Sequence, residues 1–174
     1  MPEDKALQRR QLERLKLEIE ATIPNPWFFP TGDIFNNKLP GNGVQGFLGT
    51  GPLMVVGERP STGKFSGPTD FLLYRVLAKF GAANCHLTDV IKSRGKVNEP
   101  YPDKIGPHRR VFDKELEIVK PHKIIALGQK VHDLLLFSLA GSGIKITQVW
   151  HYAYAGRWGK IDEFEAKMRA AIES

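Results

Sequence analysis

The stretch MVVGERPSTGKF, Met54 to Phe65, stops an apolar run at Gly57 and follows it with a glutamate, an arginine, a proline and a small polar loop. Backbone N–H groups of such a loop can form a phosphate nest. The spacing fits neither GxxxxGK[ST] nor GxGxxG, and the Glu58 carboxylate at the mouth of a cradle would repel phosphate. A glutamate held just past an apolar run is better suited to orienting a water or stabilising a developing cation. An ordinary surface glutamate is the competing reading. In LTDVIKSRGK, Asp89 ends a second apolar run, and Lys92, Arg94 and Lys96 follow on a glycine-containing loop. Three cations there suit backbone phosphates, or form a solvated basic loop. In VWHYAYAGRWGK, His151 stands among Trp150, Tyr152, Tyr154, Trp158, Arg157 and Lys160. Interleaved aromatic and basic residues offer stacking and charge to a nucleic acid. His122 and His132 read as structural. The five histidines show no metal-ligand spacing, so no metal is expected.

The elements that must position these residues follow from apolar periodicity. Residues 4–21 predict a helix with Leu12, Leu15 and Ile19 on one stripe, ended by Pro24 and Pro26. Residues 27–51 predict an ordered aromatic loop. Strands are predicted over 52–57, 84–91, 122–128 and 145–150, and helices over 69–81, with Thr69 as N-cap, and over 108–120, 129–139 and 162–172. Residues 92–106 and 151–158 are read as loops. This alternation predicts a three-layer α/β/α domain around a central, mostly parallel four-stranded sheet. Residues 1–50 would be a helical and aromatic extension and 51–174 the α/β core of one domain. Ligands of such sheets sit beyond the carboxyl ends of the strands, which directs attention to 57–68, 89–97, 128–130 and 151–158.

Composition narrows the partners. The 174 residues carry a net charge of +6 and about 41% hydrophobic side chains, with a pI near 9.5. That balance favours a polyanionic partner. Cys85 is the one cysteine, which rules out an intrachain disulfide and fits a reducing compartment. No run approaches the roughly 18 apolar residues of a membrane span, and the charged N-terminus does not resemble a secretory signal. A cytoplasmic or nucleoid-associated monomer, neither secreted nor membrane-bound, is expected.

Taken together these segments resemble the uracil-DNA glycosylase superfamily, closest to the branch that carries an iron–sulfur cluster. VVGERPS is similar to that branch's Gly-Glu-Ala-Pro-Gly motif, and Lys64-Phe65-Ser66-Gly67 to its Pro-Phe-Val-Gly segment. CHLTDVIKSRG resembles its Ile-Thr-Asn-Val-Val-Lys-Cys-Arg-Pro stretch, and ELEIVKPHKIIALGQKV its helix–strand signature. HYAYAGRW lies where the family has His-Pro-Ser or His-Pro-Ala-Tyr. The resemblance implies a monofunctional DNA glycosylase: it flips a pyrimidine nucleotide out of duplex or single-stranded DNA and hydrolyses the glycosidic bond, the base-excision step of DNA repair. Glu58 and His151 would be catalytic, and Gly57, Phe65 and Asp89 would hold the base. Arg59, Ser61, Lys92 and Arg94 would meet phosphate, and Arg157 would enter the gap left by the flipped base. Cluster cysteines are missing, with Ser93 in the place of one, so no iron–sulfur cluster and no other cofactor is expected.

Two departures carry chemical meaning. Arg59 replaces an alanine beside the catalytic loop, where a long cation binds phosphate or blocks the pocket. Asp89 replaces the asparagine that reads uracil. A carboxylate only accepts hydrogen bonds, so it suits the N4 amino group of cytosine or a modified cytosine. Protonated, it can donate to uracil O4. The alternatives are a catalytically inactive nucleic-acid-binding protein on a glycosylase scaffold, and a hydrolase of small nucleotides with no salt-sensitive affinity for DNA.

Overall fold

Short apolar runs flanked by turns become strands buried on both faces. In the computed structural model, which describes residues 2–35, 43–96, 99–102 and 104–174, four of them form one parallel sheet. They are β1 (Leu53–Gly57), β2 (His86–Asp89), β3 (Lys123–Leu127) and β4 (Lys145–Val149), in the order β2-β1-β3-β4. Six helices accompany them: α1 (Pro2–Thr22), α2 (Pro68–Lys79), α3 (Gly106–Val119), α4 (Gln129–Ser138), α5 (Tyr152–Arg157) and α6 (Ile161–Glu173). The expected three-layer α/β/α architecture is what forms.

Alternation along the strands separates two cores. Val55, Leu87, Ile125 and Val149 face a layer containing Leu73, Tyr74 and Leu77 of α2, Ala155 of α5, and Phe164 and Met168 of α6. Met54, Val56, Ile124 and Ala126 face Leu12 of α1, Phe112 and Val119 of α3, and Val131 and Leu135 of α4. The predicted stripe of the first helix is buried as expected: Leu12, Leu15 and Ile19 are all below 5% exposure. Leu15 and Ile19 meet Val111 of α3 and Phe47 of the aromatic segment.

Three local expectations change. The segment after β4 is a six-residue helix, α5, rather than a loop. Its Gly156 lies so close to Thr69 of α2 that a Cβ would overlap the threonine methyl. The N-cap of α2 is Gly67, not Thr69: Pro68 opens the helix and Asp70 closes back on the Gly67 N–H at 2.9 Å. The aromatic segment contains two 3-10 turns, Gly32–Phe35 and Gly46–Leu48, and residues 36–42 of that predicted loop lie outside the described residues.

Parallel strands put all their carboxyl ends on one rim. The order reverses between β1 and β3, since β1 pairs with β2 on one side and with β3 on the other. Crevices form at such reversals. Glu58 leaves β1 and Gly128 leaves β3 on either side of it.

Candidate active site at the strand ends

Glu58 follows the last residue of β1, and its backbone is fixed by a bond from Ile91 N–H to its carbonyl at 2.9 Å. Its half-buried carboxylate receives Tyr101 Oη at 2.8 Å and Lys130 Nζ at 2.5 Å, both on Oε1. The ammonium also lies 4.6 Å from the centroid of the Tyr101 ring. Burial pushes the Glu58 carboxyl up. The Lys130 and Tyr101 bonds and the charges of Lys130 and Arg59 outweigh it and hold the group below its ordinary value. Glu58 is therefore an anion at neutral pH. Lys130 reaches it from the first turn of α4, across the strand-order reversal. Sequence reasoning marked 128–130 as a rim segment but gave neither Lys130 nor Tyr101 a role. The signal for Lys130 was its place two residues after the glycine that follows β3.

Asp89 is the last residue of β2, in register with Gly57 of β1. A Cβ on Gly57 would overlap Asp89 Oδ1, so the carboxyl lies over the glycine, beside Glu58. Among the described residues, no group donates a hydrogen bond to that carboxyl, which is 6% exposed. Burial is the largest influence on it. The charges of Glu115 and Glu58 add to burial and that of Lys92 opposes it, which leaves the carboxyl pushed up to about 7. Replacing Gly57 with alanine should displace Asp89. The expected result is at least a tenfold loss of the activity proposed below and a stability loss of about 1–3 kcal/mol by overpacking, read by urea denaturation.

His151 is the N-cap of α5. Its Nδ1 accepts the Ala153 N–H at 3.2 Å, which puts the ring proton on Nε2. The ring stacks on buried Tyr152, with centroids 4.3 Å apart and planes at 27°. Burial pulls the imidazole down to about 4, against the smaller upward influence of Glu58. The imidazole is thus neutral, with its one proton on Nε2. Tyr152 is itself held high by burial and by the nearby Asp89 and Asp70 charges.

Phe65 stands in an aromatic nest, 4.9 Å from Trp27 and 5.7 Å from Tyr74 by ring centroids, and stays half-buried. The next residue, Ser66, has φ 96°, a left-handed backbone that costs a non-glycine residue roughly 1–3 kcal/mol. Asp70 stabilises this turn by accepting both the Ser66 and Gly67 N–H groups, at 3.1 and 2.9 Å. Sequence reasoning missed that role of Asp70.

The cations expected to meet phosphate behave differently. Lys92 does not face solvent: it is 1% exposed. Its Nζ donates to Thr88 Oγ1 at 2.6 Å and to the Asp89 carbonyl at 2.5 Å, and pairs with Glu115 Oε1 at 2.5 Å. Glu115 Oε2 in turn lies 3.1 Å from His86 Nε2. Lys92 is a buried strut under β2 rather than a surface cation for DNA. Arg59 donates to the carbonyls of Arg94, Glu99 and Pro100, at 3.4, 3.3 and 3.2 Å. Arg94 donates to the carbonyls of Ser61 and Gly63, at 2.8 and 3.1 Å, and covers the Trp27 ring at 5.6 Å. These two guanidiniums lace the loop after β1 to the loop after β2. Arg59 lies against Gly95 at the crossing of the loops. Ser61 and Arg157 are exposed, with Arg157 on the last turn of α5.

Among the described residues no cluster of His, Cys, Asp and Glu is arranged to hold a metal, and no helix is long and apolar enough to cross a membrane. No match is found among curated proteins. The family model for the uracil DNA glycosylase superfamily matches residues 47–173, a span that includes every strand and the whole rim from Glu58 to His151. That match covers more than half of the chain, and the parallel sheet inside it puts Glu58, Asp89 and His151 at strand ends on one rim; the chain belongs to the uracil DNA glycosylase superfamily.

Proposed function

We propose that this protein is a DNA glycosylase that hydrolyses the N-glycosidic bond of a flipped-out pyrimidine and leaves an abasic site. Family membership supports the reaction class. The observation that supports the residue roles is that Glu58, Asp89 and His151 stand at the carboxyl ends of β1, β2 and β4, near enough for the Glu58 charge to act on both of the others.

The chemistry asks two things of the site. As the C1′–N1 bond breaks, its electron pair moves into the base and charge builds on the base O2, while the sugar becomes cationic at C1′. The His151 Nε2–H donates to O2, and a neutral donor suffices because the charge it meets is developing rather than formal. Glu58 favours the cation and aligns a water whose oxygen bonds to C1′. The water's proton passes to Glu58, and the base leaves as an anion that is then protonated. Tyr101 and Lys130 hold Oε1 of Glu58, which leaves Oε2 for the water. Phe65 stacks on the base, worth roughly 1–3 kcal/mol, and Asp89 reads the edge opposite the sugar. Exposed Ser61 would meet phosphate, and exposed Arg157, on the last turn of α5, would enter the gap left by the flipped base.

No cluster takes part. The chain's one cysteine is Cys85, which is buried, and burial pushes its thiol up to about 12. Buried Ser93, where the similar branch has a cysteine, pairs with Pro26 in an isolated bridge. These residues do not fit an iron–sulfur group.

One observation favours a second reading. The Lys130 ammonium neutralises Glu58, and a neutralised carboxylate is a weak base. On that reading the protein binds nucleic acid without cutting it. Single- and double-stranded oligonucleotides, each carrying one test pyrimidine, separate the two when abasic sites are scored by strand cleavage in alkali. The glycosylase reading expects cleavage at the test base alone. Salt-sensitive binding with no cleavage on any substrate would favour the second.

A further inference from the structure

Phe65 is held largely from outside the span that the family model matches. Among the described residues four rings lie against it: Trp27 at 4.9 Å, Tyr74 at 5.7 Å, Phe29 at 6.1 Å and Phe35 at 6.4 Å between centroids. Of these, only Tyr74 belongs to residues 47–173. The other three come from the segment between α1 and β1. Trp27, the nearest, is fixed through its backbone to the loop after β2. Its N–H donates to the Lys92 carbonyl at 3.1 Å, and the Arg94 N–H returns a bond to the Asn25 carbonyl at 3.0 Å. Pro26 and Ser93 form the antiparallel bridge between those bonds. Asn25 has φ 49°, a left-handed backbone that asparagine adopts more readily than most residues.

Arg94 joins this clasp to the loop that carries Phe65. Its guanidinium covers the Trp27 ring at 5.6 Å and donates to the carbonyls of Ser61 and Gly63, at 2.8 and 3.1 Å. Those carbonyls stand four and two residues before Phe65. The loop between them is exposed from Ser61 to Lys64, so its own packing does little to fix the ring that follows. Freedom left in that ring is lost when a base stacks on it, and a ring already fixed binds the base more tightly. The clasp reaches Asp89 as well. Lys92, whose carbonyl receives the Trp27 N–H, holds the Asp89 carbonyl with its ammonium. The stacking residue and the edge-reading residue therefore share the Trp27 segment as a support.

We propose that Trp27 is a positioning residue for base recognition: clasped by Arg94 and by the backbone of residues 92–94, it fixes the Phe65 ring on which the flipped pyrimidine stacks, and the N-terminal segment thereby completes the base pocket. This rests on the glycosylase reading and on the role of Phe65 within it. Trp27 acts through Phe65 and touches no reacting atom, so its loss should be felt only where there is a base to stack.

A double-mutant cycle tests it. Single-turnover excision of uracil and of cytosine from oligonucleotides gives apparent second-order rates for wild type, Trp27→Leu, Phe65→Leu and the variant with both. Each single substitution should lower the rate about tenfold, the scale of one weakened base stack. The double variant should lose no more than about threefold beyond either, because Trp27 then has no ring to place. Trp27→Phe should restore most of the rate. Affinity for an oligonucleotide with a tetrahydrofuran residue in place of the nucleotide, read by fluorescence anisotropy, should stay within about twofold of wild type, since no base is there to stack. If Trp27→Leu does not fold, Arg94→Lys replaces it in the cycle: it keeps the charge and the indole but loses the planar cover and the paired carbonyl bonds. Losses that multiply in the double variant, or a single variant as fast as wild type, overturn the proposal and leave the glycosylase reading standing. So does equal weakening on the tetrahydrofuran strand, which marks damage to the fold alone. If wild type releases neither base, the glycosylase reading fails and this one falls with it.

Discussion

Replacing Glu58 with glutamine should slow base release by about 10²–10⁴-fold, the range associated with loss of a general base, and leave DNA binding intact. Glutamine keeps the shape of the side chain and an oxygen for the Tyr101 and Lys130 bonds that hold Oε1, so the loop after β1 should not move. What disappears is the negative charge. The variant can neither accept the water's proton nor favour a cationic sugar. Binding should strengthen slightly, because an anion is removed from a surface that must approach phosphates. Single-turnover cleavage and fluorescence anisotropy on one labelled oligonucleotide measure both. A rate loss below tenfold would mean that Glu58 is not the base.

The second large effect concerns stability. Truncating Glu115 to alanine should destabilise the fold by about 3–5 kcal/mol, because it leaves the Lys92 ammonium buried without its counter-ion. Burial alone would push the Glu115 carboxyl up. Lys92 and the His86 contact overcome it and hold the group below its ordinary value. The pair's contribution is therefore present above the unfolded value and lost as pH falls through the lower folded one. Urea denaturation at pH 7 reads the alanine variant. Replacing both partners, Lys92→Met with Glu115→Leu, should recover most of the loss, since apolar side chains of similar volume often match a buried pair. Lys92 also holds the carbonyl of Asp89, so the double variant should fold while discriminating poorly between bases.

The strands were legible because a parallel sheet buries both faces of each strand and so demands unbroken apolar runs, as in Met54–Val56 and Ile124–Leu127. Their limits were less so. The predicted strand 84–91 is regular only over His86–Asp89, since Val90 and Ile91 turn to bond the carbonyls of Gly57 and Glu58. The short helix α5 carries no periodic stripe, and its place is set by Gly156 against Thr69, a contact that sequence spacing does not reveal. The roles assigned to Glu58, Asp89 and His151 came from strand-end logic and family resemblance, and the fold gathers these residues on one rim. Lys92 misled for a physical reason. A lysine in a basic, glycine-containing stretch looks solvated, and only its partner on α3 makes burial affordable. Tyr101 and Lys130 escaped notice for the same reason, since each acquires meaning from Glu58, a residue far away in the chain.

The most direct test of the account is a crystal structure of the Glu58→Gln variant bound to an oligonucleotide carrying one uracil. The uracil should be turned out of the strand, stacked on Phe65, with O2 within hydrogen-bond distance of His151 Nε2 and its N3–O4 edge on Asp89. A uracil left stacked among its neighbours would contradict it. So would one seated instead in the roughly 270 Å³ hollow between α1 and the aromatic segment, lined by Lys16, Phe28 and Phe47.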